Sequence, residues 1–168
     1  METLLALVLE QLQGSVWHMT NSDRFQRILA SGAILPEPEM PDCERWSTSQ
    51  GSRWYPYVRT LGGVSLFDFR DFDPEKYSQA NPNSSWREFV PYRSEWNEAV
   101  WIEIDFAKLG DAFISGIDLL DRWNTDKVGN RIMPALEAAH LGPLPCVAFK
   151  RLFRVCAGNE TIDFRAPV

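Results

Sequence analysis

Cysteine and histidine are scarce in this chain, which limits the kinds of site that it could form. Its 168 residues include three cysteines, at positions 43, 146 and 156, and two histidines. No two cysteines stand in a CxxC pair, and the histidines lack the spacing of zinc ligands. The sequence therefore predicts neither a metal site nor a disulfide framework. Unpaired cysteines are typical of a reducing compartment, so we expect a cytoplasmic protein.

Long hydrophobic runs are also lacking. The most apolar stretch, residues 4–9, is far shorter than the roughly 18 residues that a membrane span needs. Acidic residues flank it and no basic residue precedes it, unlike an export signal. We therefore interpret residues 3–13 as an amphipathic helix that docks on the domain, and we expect no membrane association.

Positive charge is in the minority, and several functional motifs are missing. The formal net charge is −6 and the sequence pI is about 4.9. Extended non-specific binding to nucleic acid needs clustered Lys and Arg, so the overall charge argues against it. The phosphate-binding patterns GxGxxG and Walker A do not occur, nor does the GxSxG motif of many hydrolases. Rossmann, P-loop and classical serine-hydrolase sites are therefore not expected.

Aromatic residues, by contrast, are plentiful. They make up 12% of the chain and include seven Trp and ten Phe, enough to fill a core and line a cleft. The length fits one domain, so we predict a single domain over residues 1–168. Residues 36–60 contain four prolines and predict a long irregular loop or lid.

The hydrophobic pattern predicts strands separated by irregular segments. Strands are expected at 15–20, 64–69, 99–106 and 147–155, and helices at 3–13, from Asn21 or Ser22 to Gly32, and at 133–140. Residues 70–97 are expected to be irregular. In the clearest strand, alternation would place Val100, Ile102, Ile104 and Phe106 on one face and Trp101, Glu103 and Asp105 on the other. No regular β-α-β alternation is visible, so we predict an α+β fold with mixed or antiparallel sheets and peripheral helices.

Two polar residues stand out from this pattern. His18 and Thr20 would share one face of the first strand, where they could form a small polar site. The alternative is a histidine that is satisfied within the core. Glu137 lies in an otherwise apolar segment, and a carboxylate is costly to bury without a partner or a role. The alternative there is an exposed helix position, and Glu103 is a competing candidate for a catalytic acid.

Three parts of the sequence resemble ADP-ribosyltransferase-like domains. The first combines a hydrophobic-His-x-Thr strand with a helix that carries an Ile-Leu pair, then a glycine and a hydrophobic residue. It comprises residues 16–20, Phe25, Ile28, Leu29, Gly32, Ile34 and Leu35. Residues 63–67 resemble the second motif strand of that family. Glu137, ahead of the late strand, is similar in order to the glutamate of the third motif.

The resemblance implies NAD as the substrate, bound in a cleft of the sheet. His18 would hold the adenosine ribose with support from Thr20, and the backbone of Met19 would face the nicotinamide amide. Ser65 or Phe67 would line the nicotinamide pocket.

The resemblance also implies a role for an acid and for an arginine. Glu137 would bind a ribose hydroxyl and stabilise positive charge on the ribose as nicotinamide leaves. An arginine would pair with the pyrophosphate, with Arg24, Arg27, Arg53 and Arg59 as the candidates. The chain departs from arginine-modifying members at Ala135, where they carry Gln or Glu, so arginine is in doubt as the acceptor.

The implied activity is transfer of ADP-ribose from NAD to an unidentified protein or nucleic-acid acceptor. Two alternatives remain open. The acidic balance and the aromatic residues in long loops also suit a non-enzymatic interaction module, such as an immunity or adaptor protein. A catalytically degenerate domain of the same fold is the other.

Overall fold

The computed structural model describes residues 3–45, 51–129, 132–158 and 162–165. Within these ranges the chain forms five α-helices and nine strands. The helices are α1 (Leu4–Leu12), α2 (Ser22–Ser31), α3 (Tyr57–Thr60), α4 (Pro74–Ala80) and α5 (Gly116–Asp126). The strands are β1 (Val16–Thr20), β2 (Ala33–Ile34), β3 (Gly63–Asp68), β4 (Glu98–Ile104), β5 (Phe113–Ile114), β6 (Glu137–Leu141), β7 (Leu144–Pro145), β8 (Phe149–Cys156) and β9 (Ile162–Arg165).

Seven strands form one sheet, in the order β5-β6-β3-β1-β4-β8-β9. Every neighbouring pair in this sheet is antiparallel. Strands β2 and β7 form a separate two-stranded ribbon. Helices α2, α3 and α5 pack against β4, β3 and β6. The predicted α+β class with antiparallel sheets is therefore confirmed.

Capping residues start the first two helices, and those of α2 are the ones that the sequence predicts. The Thr3 hydroxyl accepts a hydrogen bond from the backbone N–H of Ala6, at the start of α1. The Asn21 side chain accepts one from the N–H of Arg24, at the start of α2. Gly32 ends α2 at φ 74°, a left-handed conformation that favours glycine. No helix in the described part of the chain is long and apolar enough to cross a membrane.

Strand β4 is buried on both faces, so the predicted apolar and polar faces are only half right. Val100 and Ile102 belong to one apolar cluster, and Trp101 belongs to another on the opposite side of the sheet. Glu103 shares the side of Trp101 but is only 2% exposed. Its carboxylate accepts hydrogen bonds from Ser15, Lys150 and Arg151, which make its burial possible. Phe106 lies beyond the strand and is half exposed.

The helix predicted at residues 133–140 is wrong. Residues 134–136 form a turn, in which Ala135 has φ 57°, and strand β6 begins at Glu137. Ala, Leu and Glu favour helices, but β6 pairs with β3 on one side and with β5 on the other. Pairing with two strands overrides the weak helix preference of a short segment.

The two long irregular segments are partly regular. Within residues 36–60 the structure shows two 3-10 turns, Asp42–Glu44 and Ser52–Trp54, before α3; residues 46–50 lie outside the described residues. Residues 70–97 were expected to be wholly irregular, but they contain α4. Asp73 caps this helix and Pro74 occupies its first turn, a start signal that the sequence does contain.

Strands β1 and β3 lie next to each other but separate along their length. Their register includes only two pairs, Val16 with Asp68 and Trp17 with Phe67, although both strands continue. Over the same residues β1 stays paired with β4 at five positions, and β3 stays paired with β6 at five. The sheet therefore opens between β1 and β3 beyond Trp17. Each of these two strands stays paired with its other neighbour, β1 with β4 and β3 with β6.

We predict that the buried carboxylate of Glu103 stabilises the fold through its bonds to Ser15, Lys150 and Arg151. Glu103→Gln removes the charge and leaves two cationic groups without their partner, so the free energy of unfolding should fall by about 1–3 kcal/mol. Urea unfolding measures the difference. The control is Glu10→Gln, an exposed position of α1, where the change should be within about 0.5 kcal/mol. Equal stability of the two variants would contradict the prediction.

Candidate active site

A cavity of about 770 Å³ opens where β1 and β3 separate. This volume is within the range of small-molecule and cofactor sites. Residues of β1, β3 and β6 form its base, and residues from 33–45, 56–59 and 85–96 form its sides. Seven of the site residues named from the sequence line it together: His18, Met19, Thr20, Arg59, Ser65, Phe67 and Glu137. Their roles stay predictions, but the fold brings them together.

His18 is half-buried and neutral. Its Nδ1 lies 3.0 Å from the backbone carbonyl oxygen of Ser65. Burial lowers the pKa of His18 to about 4, so the ring carries no charge near neutral pH. A carbonyl oxygen can only accept, so in the neutral ring Nδ1 carries the proton and donates it. The other nitrogen, Nε2, is then a hydrogen-bond acceptor on a residue that lines the cavity.

Glu137 is the most perturbed acid of the cavity. It is 8% exposed, and burial raises its pKa to about 7. Its carboxylate accepts one hydrogen bond from the Ser65 hydroxyl, at 3.1 Å, and one from the Met133 backbone N–H, at 3.3 Å. Because β6 pairs Glu137 with Phe67, the carboxylate is fixed beside the base of the cavity. The alternative of an exposed helix position is therefore wrong.

Ser65 links these two groups. Its carbonyl oxygen accepts from His18, and its hydroxyl donates to Glu137. The side chain of Ser65 is exposed although its neighbours Val64 and Leu66 are buried, because it opens into the cavity. The His18 ring is thus hydrogen-bonded, as expected of a histidine that is satisfied within the core. It also lines a cavity that contains the Glu137 carboxylate.

Other candidates lie outside this arrangement. Glu103 is not among the residues that line the cavity, and its carboxylate is fully engaged with Ser15, Lys150 and Arg151. Ala135 does not line it either; a Cβ built on Gly116 would lie 2.1 Å from its carbonyl oxygen. The backbone of Ala135 therefore lies against Gly116, the first residue of α5.

Five arginines line the cavity: Arg24, Arg27, Arg45, Arg59 and Arg93. The sequence had suggested three of them, whereas Arg53 does not line it. Arg45 and Arg93 were missed because they lie in segments without regular structure, where no periodicity indicates which way a side chain points. In a chain with a net charge of −6, five cationic side chains thus surround one cavity, a concentration that the overall composition hides.

Arg24 occupies the centre of this group. It is half-buried, donates to the backbone carbonyl of Glu44, and lies over the ring of Trp96 at 5.6 Å. Burial lowers its pKa, and the nearby charges of Arg93, Arg27 and Arg45 act in the same direction, whereas the Glu44 carboxylate acts against them. Neither Arg24 nor Arg27 forms an ion pair with a described carboxylate. An anion bound here would relieve this repulsion.

Neither known proteins nor the metal-binding residue types of the described chain identify what the cavity binds. No protein-family model and no curated protein matches this chain. Among the described residues, no group of three or more His, Cys, Asp or Glu side chains could hold a metal ion. The candidate site therefore depends on its own geometry.

We predict that Glu137 lowers the stability of the protein at high pH. A folded-state pKa of about 7, above the ordinary value of 4.5, means that the folded protein holds this proton more tightly than the unfolded chain. Stability should fall as the pH rises from about 4.5 to 7, by about 3 kcal/mol in full. Glu137→Gln cannot ionise, and its amide can still bond to Ser65 while its oxygen accepts from Met133.

The melting temperature at pH 5 and at pH 8 measures this effect. Glu137→Gln should melt higher than the wild type at pH 8 and close to it at pH 5. Glu103→Gln is the matched control, because it removes a buried carboxylate that has cationic partners, and it should melt lower than the wild type at both pH values. A lower melting temperature for Glu137→Gln at pH 8 would overturn the assignment.

Proposed function

We propose that this chain is an NAD-dependent, ADP-ribosyltransferase-like enzyme that transfers ADP-ribose to a protein or nucleic-acid acceptor. The observation that carries the proposal is the hydrogen-bonded series His18–Ser65–Glu137 at the base of an arginine-lined cavity. The sequence resemblance named these same three residues from separate parts of the chain.

Glu137 supplies the electrostatic part of the reaction. As the bond between ribose C1′ and the nicotinamide nitrogen breaks, its electron pair leaves with nicotinamide and positive charge develops on the ribose. A carboxylate that is largely buried, as Glu137 is, stabilises that charge more strongly in the transition state than in the ground state. The hydrogen bonds from Ser65 and Met133 hold it in one orientation beforehand. The acceptor then bonds to C1′ and loses a proton.

Hydrogen bonding and charge position the substrate. The acceptor nitrogen Nε2 of neutral His18 suits a ribose hydroxyl, which can donate to it. Thr20 lies on the same strand and is buried. Arg24 and Arg27, which have no carboxylate partner among the described ion pairs, match the two negative charges of a pyrophosphate diester.

The alternative of an interaction module has less support from the fold. Two of the loop aromatics that suggested a contact surface, Tyr57 and Trp86, are buried. NAD also discriminates between the hypotheses, because a ligand that binds only the folded state raises the melting temperature. A stable protein partner without any shift caused by NAD would favour the interaction module.

Release of nicotinamide from NAD tests the proposal directly. We expect turnover by the wild type and a rate about 10²–10³-fold lower for Glu137→Gln, because the transition-state charge loses its partner. His18→Ala should mainly raise KM, since the ribose contact acts in binding. The control is Glu75→Gln, at an exposed position of α4, and it should match the wild type. The absence of both NAD turnover and a thermal shift with NAD would exclude the proposal. A fully active Glu137→Gln variant would exclude Glu137 as the catalytic carboxylate.

The pH profile provides an independent check on the acid. Because Glu137 acts as a carboxylate, kcat/KM should fall below pH 7 by about tenfold per pH unit. His18, with a pKa of about 4, should contribute no second fall between pH 5 and 7. A profile that is flat from pH 5 to pH 8 would contradict the assignment of Glu137.

A further inference from the structure

Two of the cavity arginines share a single carboxylate. Glu37 accepts a hydrogen bond from Arg45 Nη1, and it binds Arg59 through two parallel bonds, Nε at 2.8 Å and Nη2 at 3.1 Å. Both arginine side chains are 13% exposed, whereas Glu37 is 58% exposed. The carboxylate therefore lies on the outer side of the segment, and the two guanidinium groups lie between it and the cavity.

Arg59 is fixed from further directions as well. Its Nη2 also pairs with Asp42 at 3.0 Å, and its guanidinium stacks on the Tyr55 ring at 3.7 Å. The Tyr55 hydroxyl in turn donates to Asp42. The remaining nitrogen, Nη1, is buried and finds no hydrogen-bond partner among the described residues. A buried donor without a partner is costly, and a bound acceptor would remove that cost.

We propose that Glu37 is a positioning residue that holds Arg45 and Arg59 as an anion clamp on the cavity wall, where their guanidinium groups bind phosphate oxygens of the ligand. The identity of the ligand rests on the proposed function, so the probe is ADP-ribose, which lacks nicotinamide. Binding of ADP-ribose needs no chemical step.

The direction in which the loss of Glu37 changes ligand affinity distinguishes a positioning role from a purely electrostatic one. If Glu37 acted only through its negative charge, it would repel an anionic ligand, and its removal would tighten binding. A positioning residue has the opposite effect, because loosely held arginine side chains must be ordered when the ligand binds. Arginine suits such a role, since its planar fork can bind a carboxylate on one edge and leave another edge for phosphate.

Glu39 provides a matched control. It lies two residues from Glu37 in sequence and lines the cavity, which Glu37 does not, and it forms no ion pair among the described residues. Glu37→Gln and Glu39→Gln therefore remove the same charge from the same segment, and only the first releases the two arginines.

Isothermal titration calorimetry, with ADP-ribose titrated into each variant of the whole chain, tests the inference. We expect Glu37→Gln to bind about tenfold more weakly than the wild type and Glu39→Gln to bind about twofold more tightly. Glu37→Asp keeps the charge and should recover part of the lost affinity. Equal melting temperatures would show that the variants are folded, which is expected because both glutamates are exposed.

Two outcomes would overturn the inference. One is tighter binding by both glutamine variants, which would make Glu37 a neutralising charge only. The other is no binding of ADP-ribose by the wild type. Measurement of nicotinamide release distinguishes failure of this inference from failure of the proposed function. If the inference is wrong, NAD can still be turned over. If the proposed function is wrong, ADP-ribose can still bind through the clamp without any turnover of NAD.

Discussion

The separation of β1 from β3 is the constraint on which the candidate site depends. The two strands pair only as far as Trp17 and Phe67, while β4 and β6 hold them from the outside. The gap exposes Ser65 in the middle of an otherwise buried sheet and lets the His18 ring bond to the Ser65 carbonyl. A continuous ladder at this point would have paired that backbone and left no cavity.

The base of the cavity carries neutral groups, whereas its sides carry cationic ones. His18 and Glu137, at the base, are both pushed toward their neutral forms by burial. The sides carry five arginines, of which Arg45 and Arg59 are paired with Glu37 and Arg93 with Glu95. A base with two neutral groups beside a wall of arginines suits a ligand that brings anionic groups to one end and a developing positive charge to the other.

Local signals predicted some elements well and failed where strand pairing decided the outcome. Asn21 and Gly32 bound α2 through side-chain capping and a left-handed backbone, which are properties of those residues alone. Residues 137–141 have the composition of a helix, yet they become β6 because β3 and β5 are available on both sides. The same pairing places Glu137 opposite Phe67 and beside the cavity, although the sequence had predicted a helix there.

The sequence by itself determined the α+β class, the ends of α2 and the identity of His18 and Glu137 as unusual polar residues, because caps, alternation and isolated polar groups are local features. Ser65 was named only through the family resemblance. Only the tertiary structure decided that these three residues meet, that Glu103 is bound by Lys150 and Arg151, and that Arg45 and Arg93 join the cavity. Those contacts join residues far apart in the chain, and their direction is set by strand register and by irregular segments that carry no periodic signal.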